Sequence, residues 1–213
     1  MRRYDISVAY GPGTPPWPGD TPYSCGWAWE MSQGASVNVG RVTTSWHVGT
    51  HADAPLHVAA DGAASETLAL DAFHGRATVL DARDATSGGS ITTEWLSGAL
   101  DGKRLPERLL LRTGKSVASG SFPADWPTLT PEAAHWLAQG GLRLFGTDAP
   151  SVDPRTATTL DVHLALFGGG AFVLENLALD AVPPGDYLLT AYPVLVNGAD
   201  AAPVRAVLET PAR

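Results

Sequence analysis

Between His47 and His57 the chain reads His-Val-Gly-Thr-His-Ala-Asp-Ala-Pro-Leu-His, which places three imidazoles (His47, His51, His57) and one carboxylate (Asp53) within eleven residues. Imidazole nitrogen and carboxylate oxygen, with no thiolate beside them, are the donor set of zinc and manganese sites. Gly49 lets the backbone turn sharply and Pro55 fixes the direction of the chain after it. The segment therefore reads as a shaped loop that can point His47, His51 and Asp53 at one spot. The competing reading is unrelated polar residues on a surface loop. It is the poorer one, because this short stretch holds half of the six histidines, with an aspartate among them. The single cysteine, Cys25, excludes an internal disulfide and a thiolate metal site.

The elements around this segment mix strands and helices. Val37, Val39 and Val42 read as a strand with a phase slip at Gly40. The apolar runs 77–81, 108–112, 142–145 and 171–175 read as strands, as does 185–196. Thr92 or Thr93 can cap a short helix through Leu100, and the clearest helix has Thr130 as N-cap, Pro131 at its first position and Gly140-Gly141 as its stop. His135 falls in the middle of that helix and reads as structural. The stretch 158–167 has a helical look and ends at Gly168-Gly169-Gly170. The class is mixed α/β.

Residues 11–22 are dominated by proline, glycine and threonine, which excludes regular structure there. Trp17, Tyr23, Trp27 and Trp29 make residues of about 10–30 an ordered, aromatic loop or arm that packs on the domain or on a partner subunit.

With 22 acidic and 14 basic residues the formal net charge is −8, and 44% apolar against 17% charged residues describes a globular chain with a core. Lys103 and Lys115 are the only lysines and the arginines are scattered, so no basic stripe exists to bind nucleic acid. No apolar run reaches the about 18 residues of a membrane-spanning helix. The start is broken too soon, at Gly11-Pro12, for a signal peptide. A cytoplasmic protein of one domain, 1–213, is expected. Arg112-Thr113-Gly114-Lys115-Ser116 fails as a phosphate loop because Leu109 stands where the first glycine is needed, and no Gly-x-Ser-x-Gly elbow occurs.

His-x-Gly-Thr-His-x-Asp-x-Pro-x-His, unbroken from His47 to His57, resembles the signature of the cyclase-like metal-dependent hydrolases. Trp17-Pro18-Gly19-Asp20-Thr21-Pro22, the segment from Gly146 to Pro154, and Pro183-Pro184-Gly185-Asp186-Tyr187 are similar to the kynurenine formamidase (arylformamidase) branch. The resemblance implies a swivelling β/β/α-type fold, a homodimer and two zinc ions per subunit, with manganese or another divalent ion also suited to the donors. It implies that His47, His51 and Asp53 bind one metal, and that His163 and Glu175 complete a second site with Asp53 and Glu175 bridging. Read alone, His163 would pass for a core histidine. Glu175 follows Ala171-Phe172-Val173-Leu174, so its carboxylate is expected to be buried and to need a partner.

The activity implied is hydrolysis of N-formyl-L-kynurenine to L-kynurenine and formate, with a metal-bound water as nucleophile. His57 would be the general acid/base; spacing alone leaves a fourth ligand open. Trp17 would contact the substrate's aromatic ring, or else only pack the arm. Hydrolysis of a related cyclic amide such as isatin is one alternative, and a metal-binding module without catalysis is another. Asp148, Ser151 and Asp153 shape either a pocket or only a loop.

Overall fold

A computed structural model describes residues 1–85 and 89–211. In chain order the strands are β1 Arg3–Asp5, β2 Ser24–Trp29, β3 Val39–Thr43, β4 His51–Asp53, β5 His74–Asp81, β6 Ser90–Ile91, β7 Arg108–Arg112, β8 Thr128–Leu129, β9 Leu144–Thr147, β10 Phe172–Glu175, β11 Gly185–Thr190, β12 Ala201–Pro203 and β13 Val207–Glu209. The helices are α1 Thr93–Leu100, α2 Pro131–Gln139 and α3 Asp161–Gly168. No helix among the described residues is long and apolar enough to cross a membrane.

Nine strands form one mixed sheet in the order β1-β13-β11-β5-β7-β9-β10-β4-β12. The centre, β5-β7-β9-β10, is parallel and the flanks are antiparallel. A parallel centre suits Leu109-Leu110-Leu111, a run buried on both faces. Successive side chains then alternate between two cores. Leu109, Leu111, Phe145 and Val173 meet the three helices, while Leu110, Leu144 and Leu174 meet Phe73, Val79, Leu189 and Leu208 on the other side.

The helix starts follow the capping residues. Trp95 N–H donates to Thr92 Oγ1 at 3.3 Å, and Ala133 N–H to Thr130 Oγ1 at 3.1 Å. α3 begins at Asp161, three residues later than the pattern suggested, because Thr156–Leu160 forms turns and bends instead. β11 ends at Thr190, short of the strand expected to reach Val196; Pro193 lacks the N–H a continuing ladder requires.

Two further expectations are corrected. His51–Asp53 is a short strand inside the sheet, not loop. The aromatic arm is partly regular, since Ser24–Trp29 pairs with Val39–Thr43 in a separate two-stranded ribbon. The irregularity expected at Gly40 is borne by the opposite strand, between Trp27 and Trp29, whose partners are Gly40 and Val39.

Candidate metal centre

Strand periodicity assembles the first half of the site. His51 and Asp53 are two apart on β4, so both side chains leave the same face. On β10, Glu175 is in register with His51, and Val173 with Asp53. Directly opposed residues share a face, so Glu175 joins His51 and Asp53 on the side where Val173 packs against the helices. α3 lies on that side and delivers His163.

The backbone before β4 is equally constrained. Gly49 has φ +69°, and a Cβ there would stand 2.9 Å from the Val8 carbonyl oxygen. The Gly49 carbonyl holds His51 Nδ1 at 2.9 Å, which turns Nε2 inward. Asn176, in the left-handed region at φ +56°, donates from Nδ2 to the His47 carbonyl at 3.3 Å. Thr50 Oγ1 donates to the Asn176 carbonyl at 2.6 Å and ties the two segments together.

The donor atoms converge in two sets. His47 Nδ1 lies 3.1 Å from His51 Nε2, and these nitrogens lie 3.2 and 3.3 Å from Asp53 Oδ1. His163 Nε2 is 3.3 Å from both Asp53 Oδ2 and Glu175 Oε1. Glu175 Oε2 turns the other way, 3.6 Å from His51 Nε2. Four ligands placed tetrahedrally at 2.0–2.2 Å from a zinc ion stand about 3.3–3.6 Å apart, close to these separations. Asp53 Oδ1 is buried with no hydrogen-bond partner, although two ring nitrogens are near. An acceptor left unpaired between two imidazoles fits a cation between them.

Outer contacts orient the rings. Asp153 Oδ2 is 2.6 Å from His163 Nδ1, and the same carboxylate accepts the Val162 and His163 backbone N–H groups at 2.9 and 3.1 Å. It thus serves as the cap that α3 otherwise lacks. Asp200 Oδ2 is 2.9 Å from His47 Nε2 and 3.6 Å from His57 Nδ1. A carboxylate or carbonyl behind an imidazole is the usual support of a metal-binding histidine.

Burial works against every charge here, yet opposite charges outweigh it. The contact with Asp200 and the nearby Asp53 carboxylate push His47 up to about 9 despite its desolvation, and Asp53 and Glu175 push His51 up to about 10. Asp53 is held well below its ordinary value by the surrounding histidines. His57 goes the other way, lowered chiefly by burial, which keeps it neutral near pH 7.

All five expected ligands, His47, His51, Asp53, His163 and Glu175, thus meet at one place. His57 stands beside them, its ring centroid 4.3 Å from that of His47 and 5.6 Å from that of His163. One of its nitrogens is also close enough to His47 and Asp53 to share a cation, so distance alone leaves both readings of His57 open. A cavity of about 290 Å³ opens above, lined by Pro15, Trp17, Asp20, His47, His57, Phe122, Pro150, Ser151, Leu160, Glu175 and Asn176. Trp17 lines it while packing edge-on against Phe122 (5.4 Å) and Trp126 (5.8 Å), so the packing of the arm and a place on the cavity wall coexist at this residue.

Asp148 is buried outside the site, where it accepts the Thr113 and Gly114 N–H groups, and its carboxyl is pushed up by burial. Ser151 lines the cavity and accepts the Asp153 N–H at 3.2 Å. Asp200, Asn176 and Phe122 carried no signal in the sequence. His74 and His135 are exposed elsewhere.

Comparison with known proteins agrees with this geometry. Residues 4–154 match the family model described as "Putative cyclase". The chain is 45% identical over 207 residues to a kynurenine formamidase of Bordetella avium (strain 197N), covering 97% of each chain. It is 41% identical over 212 residues to a kynurenine formamidase of Erythrobacter litoralis (strain HTCC2594), covering 97% of this chain and 93% of the relative. Among solved structures, a potential metal-dependent hydrolase with cyclase activity superposes with a TM-score of 0.82 at 28% identity, over 97% of this chain and 96% of the other. Isatin hydrolase A from Labrenzia aggregata gives 0.82 at 24% identity, over 99% and 94%, a likeness of fold alone.

Proposed function

The chain belongs to the cyclase family, and from that premise we propose that it hydrolyses N-formyl-L-kynurenine to L-kynurenine and formate. The observation that carries this reading is the convergence of three imidazoles and two carboxylates under a cavity edged by aromatic rings. Identity of 41–45% over nearly the full length to two kynurenine formamidases supports the substrate, whereas the isatin hydrolase shares only the fold.

The donor set fits a pair of divalent cations, proposed to be zinc, with manganese suited to the same atoms. His47 Nδ1, His51 Nε2 and Asp53 Oδ1 would hold one; His163 Nε2, Asp53 Oδ2 and Glu175 Oε1 would hold the other. A carboxylate spans two cations through its two oxygens, which an imidazole does not. Bound there, a divalent cation polarises a carbonyl oxygen and lowers the pKa of water from about 15.7 toward about 7.

The chain's own side chains do the rest. His57 is neutral and half-buried at the cavity floor, so it accepts the proton of the attacking water. It returns that proton to the aniline nitrogen as the C–N bond breaks. The water oxygen stays with the formyl carbon as formate, which balances the reaction. Asp200 Oδ2, 3.6 Å from His57 Nδ1, places a negative charge beside the ring that stabilises the imidazolium formed when His57 takes the proton. Trp17 and Phe122 give the substrate ring an edge-on surface.

A homodimer completes the proposal. Trp27, Trp29, Met31 and Val42 on the β2–β3 ribbon are each more than half exposed, an apolar group that a partner subunit would cover. A cytoplasmic location is proposed with it, in keeping with one exposed, unpaired cysteine. Mass spectrometry of purified protein incubated with N-formyl-L-kynurenine tests the function: loss of 28 mass units (about one CO) supports it, and an unchanged substrate refutes it.

A further inference from the structure

We propose that Asp20 selects substrates that carry an ammonium group on the side chain of the aryl ketone. This rests on the formamidase reading above. Three of the charged or titratable groups around the cavity, His47, His57 and Glu175, belong to the candidate metal centre, and Asp20 is the fourth. Among the described residues, none of those lining the cavity is lysine or arginine. The cavity therefore presents one carboxylate away from the chemistry and no fixed cation to offset it.

The local backbone holds that carboxylate in place. Asp20 N–H donates to the Trp17 carbonyl at 2.9 Å, closing a turn that carries Trp17 and Asp20 to the same cavity. Asp20 Oδ1 accepts the Thr21 N–H at 2.6 Å, which leaves Oδ2 for another donor. A substrate ring packed on Trp17 and Phe122, with its formamide over His57, has its amino-acid side chain left to point away from the metal centre. Asp20 is exposed at the rim of the cavity, and an ammonium there meets it in a charge-assisted pair of the strength usual near a protein surface. A neutral ring amide lacks that partner, so the same residue separates formylkynurenine from isatin-like compounds.

The test compares N-formyl-L-kynurenine with 2-formamidoacetophenone, which keeps the aryl ketone and formamide but lacks the amino-acid group, ammonium and α-carboxylate alike; the Asp20→Asn exchange then isolates the part that depends on the Asp20 charge. The KM ratio of the second to the first should fall about three- to tenfold in Asp20→Asn, between the effects of an exposed and a shielded charge pair. Asp20→Glu should keep most of the wild-type ratio, and the Asn variant retains the turn's acceptor. Calorimetric binding of L-kynurenine and 2-aminoacetophenone should show the same change without turnover. An unchanged ratio in a wild type that hydrolyses both compounds overturns the role of Asp20 alone. A wild type that hydrolyses neither overturns the formamidase reading and this inference with it.

Discussion

Asp153 Oδ2 lies 2.6 Å from His163 Nδ1, while the opposite nitrogen of that ring faces Asp53 and Glu175 at 3.3 Å each. One buried carboxylate thus fixes the ring and, through two backbone N–H groups, the first turn of the helix that carries it. Removing the charge but keeping the shape should loosen the ring more than the fold. Asp153→Asn is expected to weaken metal binding about 10–100-fold, the usual loss for an outer partner of a ligand histidine. Competition with a chromogenic chelator reads this directly. An affinity equal to wild type would show that His163 needs no support.

His57 is expected to move protons and not to hold metal. His57→Ala should keep the wild-type metal content, measured by elemental mass spectrometry, and lose about 10²–10⁴ in kcat. Stoichiometric loss of one metal in this variant would make His57 a ligand.

Trp17 lines the cavity and packs on Phe122 and Trp126. Trp17→Ala should raise KM about 2–12-fold, the range of one aromatic contact, with a smaller change in kcat. Steady-state kinetics that show KM unchanged would leave Trp17 with a packing role only.

The exposed ribbon should be where subunits meet. Trp29, 63% exposed on β2, is the most open tryptophan of that patch. Trp29→Glu should shift the sedimentation coefficient from dimer to monomer, because burying an unpaired carboxylate is unfavourable. A variant that sediments as wild type would place the interface elsewhere.

Much of this was legible in the sequence because local rules governed it. Thr92, Thr130 and Pro131 announced their helix starts, and the apolar runs within 108–112 and 172–175 announced buried strands. The candidate ligands on β4 were visible as a spacing, yet their strand was not, because a strand of three residues between Gly49 and Pro55 carries too short a pattern. Register, not local spacing, brings Glu175 opposite His51, and only the sheet shows it. Asp200 was invisible for the same reason: it meets His47 across 153 residues of chain. Asp153 sat in plain view among turn residues, but its contact with His163 depends on where α3 begins.

Metal-dependent formamidase activity is measured most directly by the rate of L-kynurenine formation from N-formyl-L-kynurenine before chelation, after chelation and after zinc is restored. Activity should fall with the metal and return when about two zinc ions per subunit are restored. Hydrolysis that persists undiminished in metal-free protein would contradict it, as would zinc-loaded protein that leaves the substrate intact.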